Sequence, residues 1–247
     1  MKRNEAEVVV TKLATRLEDD GTGTLSLAFS TTGIDGEPAI YCAGARTETI
    51  RQDDGIWHAD LSIPGVAPWW PHTHGTPALQ NVRLEIGSQS FDLARTGFRR
   101  IDVDRGDDGQ VFSLKINGVD VFCRGAVWTT ADIIDLPGGR KSYCHWFELA
   151  VEAGMNMLRI GGTMAYESAE FFALCDELGV MVWQDFQFAN YDYPIKDEAF
   201  VDSVHKEARQ VLDATQALPR SQSFAAAARS TSKSPCSTCW KAAGKRN

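Results

Sequence analysis

"FSLKINGVDVFCRGAVW", Phe112 to Trp128, is the stretch where the chain changes its grammar. Asn117-Gly118 separates two runs of alternating apolar residues, and a type I′ turn needs positive φ at both central positions, which Asn-Gly tolerates best. The spacing predicts a hairpin that leads directly into a strand over residues 121–128. Before this hairpin the pattern is one of short strands; after it, strands alternate with helices.

Upstream, "TLSLAFS" (24–30) sets Leu25, Leu27 and Phe29 against small polar partners, the period of a half-buried strand. "IWHADLSIPG" and "NVRLEIGSQSFDL" continue that pattern, the second folding back over Gly87-Ser88. Glycine and proline punctuate these runs and no amphipathic helix appears among them. An antiparallel β-sandwich of roughly seven strands over residues 1–98 is the expected result.

Downstream, "KSYCHWFELAVEAG" places Tyr143, Phe147, Ala150 and Val151 on one helical face and stops at Gly154. "NMLRIGG" reads as a short buried strand. Ser168 is the expected N-cap of a second helix, with Glu170 in its first turn, Phe171, Phe172, Cys175 and Leu178 inward, and Gly179 as its stop. "VMVWQDF" is the next strand, and Asp197 is expected to cap a last helix with Phe200, Val204, Ala208, Val211 and Leu212 on its apolar stripe. Successive βα units imply a parallel sheet, either doubly wound or the start of a (β/α)8 barrel; the pattern leaves both open.

With 247 residues, 43% hydrophobic and 23% charged, the composition is globular. A net charge of -8 lacks the clustered Lys and Arg that neutralise phosphates, so no nucleic-acid partner is expected. No run approaches the roughly 20 apolar residues of a membrane helix, and "MKRNEAEVVV" lacks the apolar core of a signal peptide. The expectation is a cytoplasmic chain without a membrane partner; oligomeric state is not legible. "RIGGTMAYES" carries neither G-x-G-x-x-G nor a Walker lysine, so no nucleotide cofactor is expected. Cysteines 42, 123, 144 and 175 lie in apolar runs and read as buried thiols. Cys236 and Cys239 have the spacing of half a zinc or redox motif with no second pair, so no metal is expected.

Six stretches together resemble glycoside hydrolase family 2, nearest its β-mannosidase-like branch: "WWPHTHGTPAL", "GFRRIDVDR", "FSLKINGVDVFCRGAVWTTAD", "AGMNMLRIGGTMAYES", "FFALCDELGVMVWQDFQFANYDYP" and "FVDSVHKEA". They keep the family's order over about residues 65–215. The resemblance implies a multidomain β plus α/β chain: an immunoglobulin-like β-sandwich (1–98), then the N-terminal part of a TIM barrel (99–219) with residues 121–128, 156–160 and 180–185 as its first three strands. It also implies retaining hydrolysis of β-mannosides or related β-glycosides. That chemistry uses two carboxyls about 5–5.5 Å apart, one nucleophile and one acid then base. The two glutamates that supply them in the family have no matching position here.

Residues 220–247, "RSQSFAAAARSTSKSPCSTCWKAAGKRN", have no strand periodicity, and no Asp or Glu follows Asp213. They read as an aberrant or disordered tail, with a frameshift or truncation expected just after Pro219. Nothing before the sandwich corresponds to the family's jelly-roll domain. The chain is expected to be inactive alone; the alternative is a non-catalytic carbohydrate-binding or scaffolding module built on the sandwich. The sandwich is expected to be the better-folded part.

The resemblance implies that Arg159 supports the nucleophile carboxylate of the full enzyme. Alternation puts Trp183 and Asp185 on one face of their strand with Gln184 opposite, and an aromatic ring beside a carboxylate suits a pyranose. Arg159, Trp183, Asp185, Asn190 and Trp128 are the candidate substrate contacts, with Asp132, Asp192 and Tyr193 nearby in loops. The blander readings stand beside them: a tryptophan in a buried strand is more often core, and loop polarity is ordinary. "RIGGTM" lacks the tryptophan that many β-mannosidases carry after this arginine's strand. His72 and His74 read as loop packing, Glu167 as a first-turn helix carboxylate, and Glu148 and Glu152 as a solvated face.

Overall fold

Alternating apolar residues organise the first half of the chain into eight strands: β1 (Glu7–Leu17), β2 (Gly23–Thr32), β3 (Pro38–Cys42), β4 (Ala45–Glu48), β5 (Ile50–Arg51), β6 (Trp57–Ile63), β7 (Gln80–Ile86) and β8 (Gln89–Thr96). The computed structural model describes residues 7–134, 136, 138–189 and 191–216. The expected tail over 220–247, with Cys236 and Cys239, lies outside the described residues, as does Asn190.

These strands form two antiparallel sheets, β1-β2-β6-β5 and β4-β3-β7-β8. The inward residues of both, among them Leu25, Leu27 and Phe29 of β2, Leu61 and Ile63 of β6, and Val82, Leu84 and Ile86 of β7, close one shared core. This is the expected sandwich. Its count exceeds the expected number by the two-residue edge strand β5, which pairs Ile50 with His58 and is too short to show a period. The turn at Gly87-Ser88 brings Ile86 opposite Gln89, as its sequence suggests.

A smaller antiparallel sheet follows: β9 (Ile101–Asp104), β10 (Ser113–Ile116) and β11 (Val119–Val121), in the order β11-β10-β9. Asn117 and Gly118 have φ of 52° and 82° between paired Ile116 and Val119, the two-residue hairpin the dipeptide demands. The strand expected over 121–128 is corrected here, because β11 stops at Val121 and β12 (Gly125–Trp128) begins only after a break. The cause is non-local. Asn156 Oδ1 accepts the Arg124 N–H at 2.9 Å, and the Arg124 carbonyl accepts the N–H groups of Asn156 and Met157 at 2.8 and 3.2 Å. The chain is thereby turned out of one sheet and into another. A Cβ on Gly125 would lie 1.8 Å from the Met157 carbonyl oxygen, so only glycine permits this approach.

β12, β13 (Met157–Ile160) and β14 (Met181–Gln184) form a parallel sheet in chain order, with α1 (Arg140–Glu152), α2 (Ala169–Leu178) and α3 (Glu198–Gln216) interleaved. Trp128, Leu158, Ile160 and Val182 face the helices and pack with Tyr143, Phe147, Phe171 and Cys175. Met157 and Met181 point the other way, onto Leu114, Ile116 and Val121 of the β9–β11 sheet. α2 ends at Gly179 in the left-handed conformation, and Asp197 Oδ1 caps α3 by accepting the Ala199 and Phe200 N–H groups at 3.0 and 3.3 Å. Ser168 occupies the N-cap position of α2 but does not cap with its side chain; its hydroxyl donates instead to the Gly138 carbonyl at 2.9 Å.

The loop over residues 64–79 locks the two halves together. Trp69 is fully buried, and its indole N–H donates at 2.9 Å to the Asp176 carbonyl, one of the acceptors that the end of α2 leaves unpaired. The Arg99 guanidinium sits 5.3 Å from the centre of that ring, and a Cβ on Gly97 would lie 2.7 Å from Trp69 Cβ. His72 donates its backbone N–H to the Gly179 carbonyl at 3.0 Å and its Nε2–H to the Met155 carbonyl at 2.8 Å. His72 therefore serves packing, as its loop position suggested, whereas His74 is exposed and its Nδ1 pairs with the Thr73 hydroxyl at 2.8 Å. Asn156 adds a bond from Nδ2 to Thr73 Oγ1 at 2.9 Å.

This lock couples the two halves, where the sequence alone suggests a sandwich that outlasts the βα part. Removing the Trp69 side chain costs about 3–5 kcal/mol by the precedent of large-to-small core substitutions. Trp69→Ala is expected to lower the urea unfolding free energy by that amount, with both halves of the wild-type chain lost together under limited proteolysis. A wild-type sandwich that survives long after the βα part is digested contradicts the coupling.

Candidate functional site

The site begins with strand register. Val127 of β12, Arg159 of β13 and Trp183 of β14 are paired across the parallel sheet, so their side chains rise from one face. The face's lower positions, Met157 and Met181, are covered by the β9–β11 sheet. Higher up it is open: Val127 is 62% exposed and the Arg159 side chain 49%. Asp185 extends the alternation one step past β14, where its N–H donates to the Ile160 carbonyl at 2.9 Å.

Asp185 is only 2% exposed, and its carboxylate is well supplied with donors. Trp183 Nε1–H donates to Oδ1 at 2.9 Å, Arg159 Nη2 to Oδ2 at 2.7 Å, and Arg159 Nε to Oδ1 at 3.4 Å. A buried charge held by one indole and one guanidinium offsets its desolvation through charge-assisted bonds. The guanidinium lies 5.9 Å from the centre of the Trp183 ring, and Phe112, just before β10, lies 5.5 Å from it on a tilted ring. Gln184 faces the helix side, 2% exposed, with Nε2 donating to the Asp185 carbonyl at 2.8 Å. Arg159, Trp183 and Asp185 thus form one cluster, with an aromatic surface and a fixed cation suited to a sugar ring and its hydroxyls. Phe112 is a member that sequence reasoning missed, because its neighbour lies in a distant strand.

The loops around the cluster are tied down. A Cβ on Gly162 would lie 2.6 Å from the Phe186 carbonyl oxygen, so glycine lets the β13–α2 loop pass beneath residues 186–188. Gln187 Nε2 donates to the Met164 carbonyl at 2.8 Å, and Tyr166 donates its hydroxyl to Glu207 of α3 at 2.8 Å. Burial, with Glu207 second, pushes the Tyr166 phenol upward. Tyr193 packs edge-on to Phe188 and stacks on Phe200, while Asp192 is exposed. Asp132 turns back on its own loop, accepting the Ile134 N–H at 2.7 Å.

Trp128 requires a correction. It pairs with Ile160, not Arg159, so it points into the helix layer on the opposite side of the sheet from the cluster. Its indole N–H donates to Glu167 Oε1 at 2.8 Å, and Tyr143 donates its hydroxyl to Glu167 Oε2 at 2.6 Å. Glu167 is therefore no first-turn helix carboxylate; it precedes Ser168, is buried, and joins β12 to α1. The signal that could have revealed it is chemical: two aromatic residues with polar tips in an apolar layer need an acceptor.

Burial, then the bond to Glu167, pushes the Tyr143 phenol from 10.0 up to about 12. Above pH 10 the unfolded chain gives up a phenol proton that the folded chain keeps, so stability present below pH 10 is lost as pH rises towards 12. The urea midpoint is expected to fall across that window, and Tyr143→Phe to make the fall shallower. An identical slope in the variant contradicts the assignment.

No family model matches the chain. Among curated proteins, β-mannosidase B of Aspergillus oryzae is 37% identical over 167 residues, covering 65% of this chain and 20% of that protein. β-Mannosidase B of Aspergillus niger is 38% identical over 171 residues (66% and 20%), and that of Emericella nidulans 32% identical over 205 residues (81% and 24%). The chain spans a fifth to a quarter of the length of these relatives. Among solved structures, the β-D-mannosidase of Dictyoglomus thermophilum matches with a TM-score of 0.72 at 28% identity, covering 87% of this chain and 28% of that one. A Bacteroides uniformis β-glucuronidase shares the fold at 18% identity and a TM-score of 0.69, over 86% of this chain and 27% of its own. Sequence and fold together make the chain a relative of the β-mannosidase-like branch of glycoside hydrolase family 2.

Proposed function

We propose that the chain is a piece of a retaining glycosidase: an immunoglobulin-like sandwich followed by the opening βα units of a (β/α)8 barrel, with one wall of a β-glycoside pocket on the barrel's inner face. The observation that carries this reading is the cluster of Arg159, Trp183 and Asp185 at the C-terminal end of parallel strands, the end at which barrel enzymes bind substrate. The layering supports a barrel over a doubly wound sheet. α1 and α2 pack on one face of β12–β14, while among the described residues the other face meets the small antiparallel sheet and Trp69 below and is open above. β-Mannosides, or related β-glycosides, are the substrate class that the relatives' names suggest.

By this reading the chain alone does not turn over a glycoside. Retention needs two carboxyls about 5–5.5 Å apart. Strands β12–β14 contain no acidic residue, and Asp185, which follows them, is already engaged by three donors. The cluster can hold a sugar; it has no acid and nucleophile to cleave it.

A chromogenic β-mannoside assay combined with calorimetric titration of β-mannoside tests this. The expected outcome is no chromophore release above buffer, with binding that Arg159→Ala or Trp183→Ala weakens at least about tenfold, near 1.4 kcal/mol. Sustained hydrolysis contradicts the account. Binding that both variants leave unchanged points instead to a module built on the sandwich.

A further inference from the structure

We propose that Asp185 is a positioning residue that acts on the sugar only through Arg159 and Trp183, and that by neutralising Arg159 it sets the pocket for neutral glycosides over uronides. The inference rests on the pocket reading above and assigns within it which atoms meet the ligand.

Exposure comes first. On a face whose arginine is 49% exposed, Asp185 is at 2% and bonded to both Arg159 and Trp183. Its oxygens are also occupied: Oδ1 accepts from Trp183 Nε1 and Arg159 Nε, and Oδ2 from Arg159 Nη2. A hydroxyl approaching from the open side meets the guanidinium and the indole before it meets the carboxylate.

The orientation of the pair is equally specific. Asp185 takes the guanidinium side-on, through Nε and Nη2, and Nη1 has no partner among the described residues. Arg159 is thus fixed with its far edge turned from Asp185, a planar fork ready to donate. The same carboxylate fixes the indole through its N–H, with the Trp183 ring near both Arg159 and Phe112. One buried anion therefore locks two ligand-facing groups that would otherwise sample several rotamers.

Charge follows from the same pair. Guanidinium and carboxylate cancel, so the face presents donors without net positive charge. A neutral hexoside loses nothing by this. A uronide carboxylate meets an arginine whose charge is already compensated, and gains less.

The test uses the full chain and two substitutions. Asp185→Ala is expected to abolish the near-ultraviolet circular dichroism contributed by Trp183, obtained by subtracting Trp183→Phe, with the far-ultraviolet spectrum unchanged. Asp185→Asn keeps an oxygen for the indole N–H and so retains that band. In the same variant the Arg159 Nε–H should exchange with solvent at least about tenfold faster, as its charged acceptor is gone. By calorimetry Asp185→Asn should weaken β-mannoside binding at least about tenfold and reverse the wild-type preference for β-mannoside over β-glucuronide. Persistence of the Trp183 band in Asp185→Ala, unchanged Arg159 exchange in Asp185→Asn, or an unchanged preference between the two glycosides overturns the proposal. If the wild type binds neither glycoside, the pocket reading fails by itself. The indole band and the arginine exchange then still decide whether Asp185 positions these side chains.

Discussion

The buried indole of Trp69 is the point on which the rest of the structure depends. It belongs to a sandwich loop, yet its N–H satisfies a carbonyl at the end of α2 and its ring sits in the core shared by Met157, Met181 and the β9–β11 sheet. An unpaired helix-end carbonyl in such a place would cost more than an ordinary hydrogen bond returns. Meeting that need from the sandwich anchors β13 and β14 at their N-terminal ends. The glycines at 97 and 179 are the geometric condition for it, since a Cβ at either would collide with residues 69–72.

Anchoring one end of parallel strands fixes the register at the other. Arg159 and Trp183 stand side by side because Met157 and Met181, two residues earlier, are pinned to the floor beneath them. The sheet then repeats one device on its two faces. On the helix side, Glu167 accepts from the Trp128 indole and the Tyr143 hydroxyl; on the open side, Asp185 accepts from the Trp183 indole and the Arg159 guanidinium. Both carboxylates are buried, but only the second holds a group that reaches solvent. A closed network of neutral donors stiffens a core, whereas a carboxylate that aims a half-exposed cation supplies the surface we propose for binding.

What was legible in the sequence follows the range of the interactions. The Asn117-Gly118 hairpin, the Gly179 stop and the Asp197 cap are decided within a few residues, and the structure has them where the sequence puts them. The shared face of Trp183 and Asp185 was legible for the same reason, since alternation along one strand fixes it. The break after Val121 was not, because Asn156, 32 residues beyond the Arg124 it holds, causes it. Nor was the direction of Trp128, which depends on register with β13. Glu167 read as a first-turn helix carboxylate because its donors come from residues 39 and 24 positions earlier. Phe112 beside Trp183 leaves no trace in either local pattern.

The central claim is that the open face of β12–β14, and not the sandwich, meets the sugar. The most direct measurement is a titration of the isotope-labelled chain with β-mannoside, followed by the indole N–H and arginine Nε–H resonances. The account predicts shifts at Trp183 and Arg159, with Trp57 in the sandwich and Trp69 in its buried lock unmoved. Shifts confined to Trp57 and its neighbours, with Trp183 and Arg159 silent, would contradict it.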